Sequence, residues 1–118
     1  SIMAPMSKLE KELETAIFGT FRKCATLKPP YRPLYLQRMM TSTNPKYYKG
    51  PVGTVTWLMI GKDRTGVGFN RLVKEGKLEW TIEWLIQDPK WKPLFPEWVI
   101  KNAKARIDAA VGPSDPSE

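Results

Sequence analysis

Only one stretch of this sequence has strand character, residues 54–60 (TVTWLMI), and a lone strand has no ladder to join. Its β-branched start favours a strand, but the alternation fades where Leu58, Met59 and Ile60 follow one another. A buried strand and a buried helix read alike at this length, so the missing partner strand decides for helix. The sequence therefore predicts an all-α fold. The expectation is a single small domain of four or five short helices with a long proline-rich basic connection, spanning 7–111. Residues 1–6 and 112–118 are expected to be flexible termini.

The helices follow from periodicity and stop signals. Ser7-Lys8-Leu9-Glu10 has the form of a capping box, in which Ser7 accepts from the Glu10 amide. Leu9, Leu13, Ala16, Ile17, Phe21 and Cys24 then recur at helical spacing, giving a helix over about 8–25. A short helix is expected over 33–41, with Pro33 at its first position. Thr65 is the expected cap of a helix running from Val67 to Glu75, which Gly76 ends. One helix is expected over 78–87, closed by Asp88-Pro89, and a last one opens at Pro96 and stops at Gly112-Pro113.

Charge is concentrated rather than spread. The chain of 118 residues carries a formal +7, yet no acidic residue falls between Glu14 and Asp63. That interval holds eight cations, Arg22, Lys23, Lys28, Arg32, Arg38, Lys46, Lys49 and Lys62, so the remainder sums to −1. Tyr31, Tyr35, Tyr47, Tyr48 and Trp57 are interleaved with them. Cations beside rings supply phosphate attraction together with a stacking surface for bases. The expected nucleic-acid contacts are Arg32, Arg38, Lys46, Tyr47, Tyr48, Lys49, Lys62 and Arg64, with DNA ahead of RNA as the partner. Lys101, Lys104 and Arg106 on the last helix are read as exposed positions that can add to this surface.

A helix-turn-helix reading of the segment around Gly76 fails on charge. The second helix would present Glu79 and Glu83 to the groove with no basic residue beside them. The glycines Gly61, Gly66 and Gly68 lie near Lys62 and Arg64, but they match neither a nucleotide phosphate loop nor a dinucleotide fingerprint.

Catalysis finds little support. There is no histidine, and the single cysteine, Cys24, falls on an apolar stripe without a base to activate it. The acids are too dispersed for an all-oxygen metal site, so no catalytic residue, metal or cofactor is expected. One cysteine builds no internal disulfide, and no apolar run reaches the roughly 20 residues of a membrane span. An intracellular place, cytoplasmic or nuclear/nucleoid, is the matching expectation, with no membrane partner.

The second functional expectation is a helical protein-interaction domain. Its aromatic groove would take an acidic protein partner, with Trp84 and Trp91 as the partly exposed rings and Trp80 and Trp98 nearer the packing faces. Homodimerisation through the same rings is a third reading. The oligomeric state is left open.

Overall fold

A computed structural model describes residues 5–112. Among them there are six α-helices and no strand: α1 (Lys8–Cys24), α2 (Leu34–Thr41), α3 (Gly50–Leu58), α4 (Val67–Lys74), α5 (Ile82–Leu85) and α6 (Glu97–Val111). Two 3-10 segments, Leu78–Trp80 and Pro89–Leu94, join the last three. The expected terminal segments lie outside the described residues, except 5–6 and Gly112.

α1 is the central element. Ser7 caps it, its hydroxyl accepting from the Glu10 amide at 3.1 Å. Leu13, Ile17 and Phe21 then enter a core shared with Met40, Val55 and Ile86. Ser7→Ala removes the acceptor and is expected to cost about 1 kcal/mol in chemical denaturation. An unchanged midpoint would mean that the cap contributes nothing.

The proline-rich segment is not one long connection. α2 and the first half of α3 occupy much of it, with Pro51 in the first turn of α3, where its missing N–H is tolerated. The two helices form an antiparallel hairpin. The Lys49 amide donates to the Met39 carbonyl at 2.7 Å at one end, and the Tyr35 and Trp57 rings meet at the other. Segment 25–33 is also tied down. Tyr31 donates its amide to the Cys24 carbonyl at 3.1 Å, and the Arg71 guanidinium donates to the Pro29 carbonyl.

The expected helix over 78–87 is divided. Leu78–Trp80 is a 3-10 turn, and Thr81 adopts extended backbone and caps α5, accepting from the Trp84 amide at 3.1 Å. A mid-helix threonine can offer its own hydroxyl to the backbone, and here that cap restarts the helix. Gly66, not Thr65, is the N-cap residue of α4. The C-terminus of α4 closes as expected at Gly76 (φ 72°), where Lys77 donates to Leu72 at 2.8 Å and Gly76 to Val73 at 3.1 Å. That paired bonding is a Schellman motif, which requires the left-handed conformation that glycine adopts freely.

The largest correction concerns Arg106 and Glu83. Both are read from sequence as surface charges, yet they are 1 % and 3 % exposed. Arg106 Nη1 donates to Glu83 Oε2 at 3.1 Å, and Nη2 donates to the Gly61 carbonyl at 2.8 Å. A pair that excludes water this thoroughly crosslinks α5, α6 and the end of α3.

Candidate ring-lined groove with a basic rim

A cavity of about 300 Å³ opens where the C-terminal half of α1, the α2–α3 hairpin, α4 and the 3-10 turn at Leu78–Trp80 converge. Phe21, Tyr31, Phe69 and Trp80 supply aromatic walls. Tyr35 and Trp57 stand at its mouth, 59 % and 41 % exposed, with centroids 5.5 Å apart and planes at 47°. An apolar concavity with a few polar groups is the usual form of a binding site. Sequence alone places Tyr35 and Trp57 among the interleaved rings, but only the hairpin brings them together.

Gly68 lets Tyr31 close one wall. A Cβ at that position would lie 2.8 Å from two Tyr31 ring carbons, so the close approach requires glycine. Burial raises the Tyr31 hydroxyl above its ordinary value, with the neighbouring Cys24 adding to it. Burial likewise pushes the Cys24 thiol up, against smaller opposing effects of its backbone hydrogen bond and of Arg71. Cys24 is buried and packs with Leu27 and Leu72.

Glu83 is among the residues that line the cavity, with its side chain 4 % exposed. Burial raises its carboxyl above the ordinary range, while its own backbone bond and the Arg106 guanidinium pull it down. The Thr20 and Thr81 hydroxyls that also line the cavity donate to the Ile17 and Leu78 carbonyls, each at 2.7 Å.

The expected nucleic-acid residues fall into two groups, at opposite ends of the α2–α3 hairpin. Arg38, Lys46, Tyr47, Tyr48 and Lys49 gather at the loop end. There the Arg38 guanidinium lies 3.8 Å from the Tyr47 ring centroid and Lys46 lies 5.6 Å from it. Asn44 shapes that loop, its side chain accepting from the Lys46 amide at 3.0 Å. Tyr48 places its hydroxyl against Gly50.

Arg32, Lys62 and Arg64 belong to the other end, roughly one α3 length or 13 Å away at 1.5 Å per residue. They border the cavity mouth in sequence: Arg32 sits between the lining residues Tyr31 and Pro33, and Arg64 is followed closely by Gly66. All three are exposed, and none forms an ion pair among the described residues. Asp63 is the acid in their midst.

The last helix does not extend this surface. Arg106 is buried, Lys101 pairs with Glu97 at 3.1 Å, and Lys104 pairs with Asp108. Trp91 is also corrected. It is 4 % exposed and belongs to the main core, because the 3-10 segment Pro89–Leu94 lays it against α1. Trp84 is 48 % exposed, but it does not line the cavity. Trp98, expected nearer a packing face, is 42 % exposed.

Among the described residues no group of three or more metal-ligating side chains converges, and no helix is long and apolar enough to cross a membrane. No family model, curated protein or solved structure matches the chain.

Proposed function

We propose that this domain binds single-stranded nucleic acid at the mouth of the groove. Tyr35 and Trp57 act as the stacking platform, and Arg32, Lys62 and Arg64 hold the adjoining phosphates. The observation that supports this reading is the exposed ring pair beside three exposed cations that no carboxylate engages among the described residues. Rings stack on any base face, and cations track the backbone, so the combination suits unpaired strands better than a duplex. The loop-end cluster around Arg38 and Tyr47 gives a second contact for a strand that follows the hairpin.

Titration with a labelled oligothymidylate tests it, read by quenching of tryptophan fluorescence. Three phosphate contacts on a single strand give roughly 20-fold weaker binding on raising salt from about 50 to about 200 mM. The triple variant Arg32→Glu/Lys62→Glu/Arg64→Glu should lose binding while keeping its thermal melt. Affinity indifferent to salt, or untouched in that variant, would overturn the proposal.

A second reading, docking of an acidic protein segment, is favoured by Leu34 and Val67, which are 68 % and 80 % exposed. Leu34 lies beside the lining residue Tyr35, and Val67 lines the cavity itself. Base stacking leaves both of them without a role.

A further inference from the structure

We infer that the space between α4 and the main core is a binding site for a small aromatic acid. Two fused rings lie inward and the carboxylate meets the basic rim. This site lies beneath the Tyr35–Trp57 pair, and its occupation does not depend on a strand at the mouth.

The apolar interior of the domain falls into two clusters. Leu13, Ile17 and Phe21 belong to the main one, while Cys24, Leu27 and Leu72 form a smaller one with Tyr31 and Trp80 against it. The cavity lies between them. Phe21, Leu36 and Leu58 line it from the main core, and Cys24, Leu72 and Trp80 line it from the smaller cluster. Phe69 on α4 also lines it and is 9 % exposed, yet it belongs to neither cluster. The chief packing partner of α4 is the 3-10 turn Leu78–Trp80 rather than α1, α2 or α3. Protein interiors hold few voids larger than a water molecule. An apolar gap between two clusters therefore forfeits contacts that an occupant restores.

The walls define the body of that occupant. A volume of about 300 Å³ is roughly twice that of a cavity that takes up one benzene, which suits two fused rings. Phe21, Tyr31, Phe69 and Trp80 are rings against which another ring packs edge-to-face or offset. The interior calls for an apolar group. The Thr20 and Thr81 hydroxyls donate to main-chain carbonyls, and the Glu83 side chain is 4 % exposed and engaged by Arg106.

The rim calls for a negative end. Arg32 sits between the lining residues Tyr31 and Pro33, and Lys77 Nζ lies 4.8 Å from the centroid of the lining Trp80 ring. Neither forms an ion pair among the described residues. Lys62 and Arg64, just before the lining residue Gly66, add two exposed cations. Of the acids nearby, Glu75 faces Arg71 at 3.7 Å, and Asp63 and Glu79 leave the other cations in excess. A carboxylate placed there gains charge-assisted bonds that a neutral group does not.

Calorimetric titration of the protein alone with 2-naphthoate tests this. At about ten times its Kd, 2-naphthoate should raise Tm by about 4 °C. Benzoate, with half the rings, and 2-naphthalenemethanol, without the charge, should each bind about tenfold more weakly. Pyrene-1-carboxylate, with four rings, should not enter. Arg32→Gln/Lys77→Gln should bring 2-naphthoate down to the affinity of the alcohol and leave the alcohol unchanged. Amide shifts on binding should gather at Gly68 and Phe69, together with the Trp80 indole. Absence of 2-naphthoate binding at about 1 mM would overturn the proposal. Equal binding of the alcohol, or an unchanged double variant, would overturn the role of the rim. Equal binding of pyrene-1-carboxylate would put the ligand on the exposed rings and overturn the cavity as its seat.

Discussion

Replacing Arg106 with Met is expected to lower stability by about 3–5 kcal/mol at neutral pH, because it leaves the Glu83 carboxylate buried without its counter-charge. The double variant Glu83→Met/Arg106→Met should recover most of that loss, since apolar side chains of similar volume replace a buried ion pair at little cost. Urea unfolding of wild type, single and double variants measures both. Equal destabilisation of the single and double variants would show that the pair is not acting as a pair.

The deficit of the single variant depends on pH, with a definite sign. Burial already raises the Glu83 carboxyl above its ordinary value, and removing the guanidinium takes away an interaction that opposes this. Folding then takes up a proton wherever the unfolded chain has released it, above an ordinary value of about 4.3. The contribution is fully present below that value and is lost as pH rises through the folded one. The Arg106→Met deficit should therefore be smaller near about pH 5 than near about pH 7.

Trp91→Ala is expected to cost about 3–5 kcal/mol, as for other large core truncations. Trp84→Ala should stay within about 1 kcal/mol, because its ring is half in solvent and only its amide serves the cap. Trp91→Phe should fall between them, for it keeps much of the volume and deletes a buried indole N–H that finds no partner among the described residues. Thermal melts followed by circular dichroism rank the three. A Trp91→Ala variant that melts with wild type would contradict the burial of that ring.

These two sites also mark the limit of what the sequence conveys. α1, α2, α4 and α6 are legible because their signals are local: the Ser7 cap, the apolar spacing from Leu13 to Phe21, and the Gly76 and Gly112 stops. The absence of a strand among the described residues agrees with the reading of 54–60 as helix, although α3 starts earlier, at Gly50. Arg106 and Glu83 are illegible because nothing in either neighbourhood marks a charge for burial; 23 positions separate them, and only the packing of α5 on α6 joins them. Trp91 is misread for a similar reason. A ring between two lysines and two prolines looks like a surface connector, until α1 supplies the face that covers it. Of the groove, the cations and the rings of Tyr31, Tyr35 and Trp57 are visible as a composition bias, while the convergence of α1, α4 and Trp80 around them is not.

The reach of Arg106 back to the carbonyls of Ile60 and Gly61 has a consequence for the order of assembly. Those carbonyls end the segment that carries Trp57, and Arg106 lies near the C-terminal end of α6. A chain emerging from the ribosome can form α1 and the α2–α3 hairpin early, since their contacts are close in sequence. The Glu83 carboxylate acquires its counter-charge only when α6 has been released and docked. The lock on the end of the hairpin then forms after the hairpin itself, so a product that stops short of Arg106 would present the hairpin without it.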